Sequence, residues 1–189
     1  MLITPIETGL NMKKSIEILC LLCLTSILSL SINKVQAQQE TDYTIHATII
    51  HRFTKYIDWP AYKKSGDFII GVVGDSPLYD ELKSFTANKT VGNQKIVVSK
   101  MTSSESYYNC HILFISEEES GSLKRIAALT AGTSVLIITE YNGLARQGSC
   151  INFITINQRL KLEINKSNVA QRSLHIASEL LDLAIIIKN

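Results

Sequence analysis

The sequence predicts an α/β fold with three layers. We expect a mostly parallel central sheet of about six strands, helices on both faces and a C-terminal antiparallel hairpin. Short β-branched runs alternate with segments of helical spacing over much of the chain. Two alternating runs near the C-terminus are separated only by Asn157-Gln158, which is short enough for a hairpin turn. The composition, 46% hydrophobic and 19% charged over 189 residues, is typical of a folded domain rather than a disordered chain.

The N-terminal segment has the three parts of a secretory signal peptide. Met12-Lys13-Lys14 is a basic start, residues 18–30 are apolar, and Val35-Gln36-Ala37 is a small-residue cleavage site. Met12 is an alternative start of the chain. We expect a leader over 1–37, cleavage near Ala37, and a single exported domain over 38–189. An uncleaved anchor is the alternative, although the apolar run is shorter than the about 20 residues that a spanning helix needs.

The first predicted element of the domain is a helix over 42–58, because apolar residues recur there at helical spacing. Trp59-Pro60 ends it, since the residue before a proline avoids the α region. The following apolar runs predict four strands and two intervening helices. The strands are 68–73, 95–101, 111–116 and 134–140, and the helices are 78–85 and 123–129.

The C-terminal third is predicted to close the sheet and cover it. Residues 151–157 and 159–165 alternate in polarity and form the predicted hairpin. Residues 167–188 carry a broad apolar stripe at helical spacing, which predicts one buried helix.

Known catalytic and metal-binding motifs are not found in the sequence. Its four histidines lack the spacing of a metal site, no serine lies in a G-x-S-x-G elbow, and no P-loop is present. The carboxylates Asp75, Glu140 and Glu163 lie near predicted strand ends, but the sequence does not pair them. A net charge of +2 does not favour nucleic-acid binding. We therefore expect no catalytic residues, no metal and no cofactor.

The turn Gly74-Asp75-Ser76-Pro77 lies where a predicted strand leads into a helix. In open parallel sheets ligands bind at such carboxyl ends of strands. The alternative, which turn chemistry favours, is a tight turn in which Asp75 or Ser76 caps the helix.

Two cysteines, Cys110 and Cys150, remain after the predicted leader. They form a candidate disulfide if the strands that follow them start at the same edge of the sheet. If those strands run in opposite directions, the sulfurs lie too far apart. The cysteines are then free thiols or form a bridge between subunits.

Five blocks of the sequence, in order, resemble the YfiR-like family of periplasmic regulators. The blocks are Phe53-Thr54-Lys55-Tyr56-Ile57-Asp58-Trp59-Pro60, Ile70-Gly71-Val72-Val73-Gly74-Asp75-Ser76-Pro77, Cys110-His111-Ile112-Leu113-Phe114-Ile115-Ser116, Gly143-Leu144-Ala145-Arg146-Gln147-Gly148 with Ile151-Asn152-Phe153, and Leu162-Glu163-Ile164-Asn165 with the apolar pattern 174–184. Ser149-Cys150 stand where the family usually has a glycine and an apolar residue, so no disulfide pattern of the family is carried over.

The resemblance implies a regulator rather than an enzyme. It implies a periplasmic protein that binds and represses an inner-membrane signalling protein, of the diguanylate cyclase type, through its periplasmic part. Cyclic-di-GMP synthesis and biofilm formation would be restrained in this way, and a homodimer is expected. The alternative is a periplasmic sensor module that binds a small-molecule ligand and acts on a sensor histidine kinase.

For the partner or ligand surface, the sequence offers Trp59, Asp75, Arg146 and Gln147. An exposed tryptophan is a typical interface anchor, although the alternative, a tryptophan in the core, is slightly favoured for Trp59. Arg146 can pair with a carboxylate of a partner or can brace its own loop through Glu163. The hypothesis is that the loop 141–150 and the turn at Trp59 form one surface.

Overall fold

The first helix begins where Asp42 supplies a cap. The structure is a computed structural model that describes residues 41–188, so the predicted leader lies outside the described residues. Oδ1 of Asp42 accepts hydrogen bonds from the backbone N–H of Thr44 (3.0 Å) and Ile45 (3.4 Å), which satisfies two unpaired donors of the first turn. Helix α1, Tyr43–Tyr56, then runs into the short strand β1, Ile57–Asp58. The helix is confirmed, but its predicted end is wrong: residues 57–58 are extended and pair with another strand instead of continuing the helix to Trp59-Pro60.

The described residues contain nine further strands: β2 Phe68–Val73, β3 Thr90–Val91, β4 Gln94–Met101, β5 Ile112–Ile115, β6 Leu136–Thr139, β7 Ile151–Ile156, β8 Arg159–Asn165, β9 His175–Ile176 and β10 Ile185–Ile187. Eight strands form one sheet in the order β10-β8-β7-β6-β5-β2-β4-β3, and β1 pairs with β9 in a second, small sheet. Neighbouring strands in the large sheet are parallel except for the β7–β8 and β3–β4 pairs. The predicted parallel sheet and antiparallel hairpin are confirmed.

Helices cover both faces of this sheet. The remaining α-helices are α2 Leu78–Thr86, α3 Leu123–Leu129, α4 Lys166–Ala170 and α5 Ser178–Leu181. The β2–α2–β4 connection moves in one direction along the sheet and β5–α3–β6 moves in the other. Because such crossovers are right-handed, α2 and α3 lie on opposite faces. Helix α1 packs against α2.

The core lies along the central strands. Every residue of β5 and β6 is buried, as expected for parallel strands that are covered on both faces. Gly71 occupies the middle of β2, where a Cβ atom would collide with the side chains of Met101 and Leu113. A larger residue at this position would have to displace these two side chains from their places in the core.

The C-terminal segment corrects one prediction. Residues 167–188 do not form a single helix but break into α4, β9, α5 and β10. Ser173 adopts a left-handed backbone conformation (φ 54°), which ends the helical course. Ile185-Ile186-Ile187 then pairs in parallel with β8. As a strand, this β-branched run forms backbone hydrogen bonds with β8. If the run were helical, the edge of β8 would have no partner strand. The sheet therefore has more strands than the six expected.

Within residues 41–188, no helix is both long and apolar enough to cross a bilayer.

Candidate functional site

The carboxyl edge of the parallel sheet contains a topological switch point between β2 and β5. The chain leaves β2 towards β4 on one side, whereas β5 lies on its other side. Loops that diverge in this way open a crevice at the ends of the strands, which is where open α/β sheets bind ligands. The loops here begin at Gly74 and Ser116.

Gly74 and Ser116 are in close contact at this edge. Gly74 has φ 91°, and a Cβ atom there would collide with Oγ of Ser116, so the position requires glycine. Ser116 is 3% exposed. Among the described residues its hydroxyl has no hydrogen-bond partner.

Asp75 and Ser76 have different roles in the same turn. Oγ of Ser76 accepts a hydrogen bond from the backbone N–H of Leu78 at 3.3 Å, within the turn that leads into α2. The N-cap position itself is Pro77, which supplies no side-chain cap. Asp75 has 93% of its side chain exposed, and its carboxylate lies 3.9 Å from Nζ of Lys100. The tight turn of the alternative interpretation is therefore present without a side-chain helix cap, and Asp75 is available at the surface.

Glu140 joins three segments at the end of β6. Its Oε1 accepts hydrogen bonds from the hydroxyl of Tyr43 (3.3 Å) and from the backbone N–H of Glu117 (3.4 Å). Burial raises the pKa of Glu140 to about 7, against the opposing effect of these hydrogen bonds. This carboxyl group can therefore gain or lose a proton near neutral pH.

The loop 141–150 is fixed to the sheet by side-chain amides. Nδ2 of Asn165 and Nδ2 of Asn168 both donate to the carbonyl of Ala145, at 2.8 and 3.0 Å. Asn168 also donates to the carbonyl of Ser149 at 2.8 Å. Nδ2 of Asn152 holds the start of the loop through the carbonyl of Tyr141 at 3.0 Å.

Arg146 and Gln147 are exposed on this anchored loop. Among the described residues, neither side chain forms a hydrogen bond or an ion pair. Glu163, the suggested bracing partner of Arg146, instead accepts a hydrogen bond from Nδ2 of Asn152 at 2.9 Å. A fixed loop thus presents two unengaged polar side chains to solvent.

Trp59 lies in the core at the amino ends of β2 and β5. Its side chain is 4% exposed and packs edge-on against Phe68, with ring centroids 5.1 Å apart, and near His111 at 6.2 Å. Its Nε1 is buried without a hydrogen-bond partner in the described part of the chain. No hydrogen bond or ion pair between described residues joins the Trp59 turn to the loop 141–150.

The two cysteines are free and buried. They precede β5 and β7, and β6 lies between these strands. Two strand spacings, about 9.5 Å, exceed the reach of a disulfide. The candidate intramolecular disulfide is therefore not formed. Burial raises the pKa of the Cys110 thiol to about 12 and also raises the pKa of Cys150, which keeps both thiols protonated and unreactive.

The hydrogen bonds that join distant parts of the chain, such as the one between Tyr43 and Glu140, could not be predicted from the sequence. The hydrogen bond between Asn165 and Asn168 is different, because a local sequence pattern indicates it. Asn165 ends an alternating strand and its Oδ1 accepts a hydrogen bond from the N–H of Asn168 at 3.1 Å, which is the pattern of an asparagine helix cap.

The residues described here include no group of three or more histidine, cysteine, aspartate or glutamate side chains able to hold a metal ion.

Comparison with known families finds that the YfiR/HmsC-like family model matches residues 43–185. Comparison with curated proteins finds no match.

Proposed function

The chain belongs to the YfiR/HmsC-like family, and from this membership we propose that it is a periplasmic regulator that binds and represses a membrane-anchored signalling protein. We propose that the partner is of the diguanylate cyclase type, so that binding lowers cyclic-di-GMP synthesis and biofilm formation. The family match over 143 of the 189 residues, 43–185, carries this proposal. The signal-peptide pattern of residues 1–37 supports export.

A regulator of this kind acts through its surface, and the loop 141–150 is suited to that task. Its backbone is held by Asn165 and Asn168 at the carbonyl of Ala145. A fixed loop loses little conformational entropy when a partner binds. Arg146 can then form a two-point contact with a carboxylate on the partner.

The exposed carboxylate of Asp75 is a second contact in the proposal, separate from the loop. Trp59 is assigned a supporting role, because its buried ring contributes to the packing beneath the turn rather than to an exposed anchor. The active regulator is proposed to be a homodimer.

The test is the cyclic-di-GMP level of cells that make the protein. Deleting the gene should raise cyclic-di-GMP, and supplying the full chain should restore it. A version without residues 1–37 should fail to restore it, because it would remain in the cytoplasm. An unchanged cyclic-di-GMP level after deletion would contradict the proposal, and a changed phosphorylation of a sensor kinase would then favour the histidine-kinase alternative.

The loop itself is tested by the double variant Arg146→Ala/Gln147→Ala. Both side chains are exposed, so the variant should fold with a stability within about 0.5 kcal/mol of the parent and should lose repression. Arg159→Ala is the matched control, since Arg159 is an exposed arginine on the β7–β8 hairpin. Full repression by the loop variant would remove Arg146 and Gln147 from the partner surface.

A further inference from the structure

The two edges of the large sheet differ in composition. An edge strand has backbone N–H and C=O groups without partners, and natural proteins protect such edges with charged residues, prolines or very short strands. β3, at one edge, consists of the two residues Thr90–Val91 and is preceded by Lys89 and followed by Gly92-Asn93. This edge therefore has the features that discourage pairing with another chain.

β10, at the other edge, lacks this protection. It is also short, but its residues Ile185-Ile186-Ile187 are all apolar and β-branched. Ile185 and Ile186 are 40% and 38% exposed, and Leu183, just before the strand, is 73% exposed. Within residues 41–188, no strand pairs with the outer side of β10. An exposed β-branched edge of this kind favours the addition of another strand.

The exposed apolar surface of β10 lies on both faces of the sheet. Consecutive residues of a strand point to opposite faces, and the neighbours Ile185 and Ile186 are both exposed. A strand that covers this edge therefore needs apolar side chains on both of its own faces. An amphipathic strand would bring its polar face against one of the two isoleucines. A second copy of β10 meets the requirement, because its own exposed isoleucines also alternate between the faces.

Opposite charges flank this apolar run. Asp182 precedes it and Lys188 follows it, both are exposed, and neither forms an ion pair with another described residue. If a second copy adds in the antiparallel direction with Ile186 on the two-fold axis, Lys188 of each copy lies opposite Ala184 of the other and diagonally across from Asp182. A lysine side chain is long enough to reach such a diagonal neighbour. A parallel copy would instead place like charges beside each other.

We propose that two copies of the chain pair in the antiparallel direction through β10, about a two-fold axis at Ile186, so that their sheets join into one. The inference rests on the homodimer proposed above and names its interface. Each copy presents the same surface to the other, which is the arrangement of a closed two-fold dimer. Backbone hydrogen bonds join the two strands, the isoleucines and Leu183 supply the apolar contact, and Asp182 and Lys188 fix the direction.

The association is measured by sedimentation velocity on the exported protein, purified without truncation, over a range of concentrations. The paired segment is short, so we expect a dimer that dissociates at micromolar concentrations. Ile186→Lys should raise the dissociation constant at least about tenfold, because it places two ammonium groups face to face at the two-fold axis. Ile156→Lys is the matched control. Ile156 ends β7 and is 41% exposed, and this variant should dimerise as the parent does.

Exchange of the flanking charges tests the direction of pairing through exposed residues alone. Asp182→Lys and Lys188→Asp should each raise the dissociation constant about tenfold, because each replaces two attractive contacts of the dimer by two repulsive ones. The double variant Asp182→Lys/Lys188→Asp should restore the affinity of the parent. A merely structural role of either residue would give no such rescue.

Three results would overturn the proposal. A dimer whose affinity is unchanged by Ile186→Lys would leave the homodimer in place but assign its interface to another surface. Single charge exchanges without effect, or a double variant without rescue, would exclude the antiparallel pairing. A monomeric parent would exclude the homodimer itself, and loss of repression in Ile186→Lys would then assign the edge to the signalling partner. The cyclic-di-GMP measurement tests repression separately from all three.

Discussion

A titratable side chain lies at each end of the parallel sheet, a buried histidine at one and a partly buried glutamate at the other, and the stability contributions of the two respond to pH in opposite directions. His111 lies at the amino end of β5 and Glu140 at the carboxyl end of β6. Burial favours the neutral form of both, because an uncompensated charge is costly away from water. It lowers the pKa of His111 and raises the pKa of Glu140 to about 7.

The hydrogen bonds of His111 explain why its neutral form fits. Nδ1 accepts from the backbone N–H of Ile69 at 3.0 Å, and Nε2 lies 2.8 Å from the carbonyl of Lys63, to which it donates. A proton on Nδ1 would break the bond to Ile69. A histidine with a lowered pKa contributes stability above its ordinary value of 6.5, which is lost as pH falls through the pKa of the folded state.

Glu140 has the opposite linkage. The folded state holds its proton more tightly than the unfolded state, whose ordinary value is 4.5. Its contribution is therefore fully present below pH 4.5 and is lost as pH rises through about 7. Removal of water therefore produces opposing pH dependences at the two ends of one sheet: the contribution of His111 grows as pH rises, whereas that of Glu140 is lost.

The largest effect is expected from His111→Ala. It leaves the N–H of Ile69 and the carbonyl of Lys63 without partners and removes a ring stacked on Phe68 at 4.3 Å. The free energy of unfolding, measured with urea at pH 7.5, should fall by about 2–4 kcal/mol.

The same variant also tests the pH linkage of His111. The decrease in unfolding free energy caused by His111→Ala should be smaller below pH 6, because the folded state of the parent is disfavoured when a proton binds His111. His175→Ala, which removes an exposed histidine, is the control and should change stability by less than about 0.5 kcal/mol. A loss that does not depend on pH would contradict the titration of His111.

A smaller effect of opposite sign is expected from Glu140→Gln. The amide cannot ionise, so the variant should be more stable than the parent by on the order of 2 kcal/mol at pH 8, and no more stable at pH 4.5. Urea unfolding across this range measures the difference. Glu118→Gln, at an exposed glutamate, should show no such trend. Equal stability of Glu140→Gln and the parent at pH 8 would show that ionised Glu140 is not destabilising.

The smallest effect is expected from Lys100→Ala, which removes the cation 3.9 Å from Asp75 at the carboxyl edge. Both side chains are largely exposed, so the change in unfolding free energy should be below about 0.5 kcal/mol and should vanish in high salt. A salt-sensitive loss above about 1 kcal/mol would place this pair among the structural contacts of the edge.

Local patterns were sufficient for most of the sheet. The β-branched runs of β2, β5 and β6 are buried on both faces, so their composition reveals them without tertiary information. The turn Asn157-Gln158 joins β7 and β8 as expected, and both residues adopt the positive φ angles of a tight hairpin. Helix α1 ends at Tyr56, before the residue that Pro60 restricts, because Ile57-Asp58 are extended and pair with β9.

The C-terminal segment shows where such patterns stop being informative. Its apolar stripe fits a helix, but β8 offers an open edge and Ile57-Asp58 a short strand to pair with. These two segments, β9 and β10, are strands because they pair with β1 and β8. Short apolar runs are ambiguous for this reason.

The class of fold, the buried strands and the family can be read from the amino-acid sequence, because they depend on side-chain periodicity and on contiguous motifs. Which distant groups come into contact depends on how the sheet assembles. Tyr43 and Glu140 are 97 residues apart, and Gln94 is 31 residues from the carbonyl of Lys63. The burial that raises the pKa of Glu140 arises only when these segments pack together, since removal of water is a property of the folded chain and not of any segment of it.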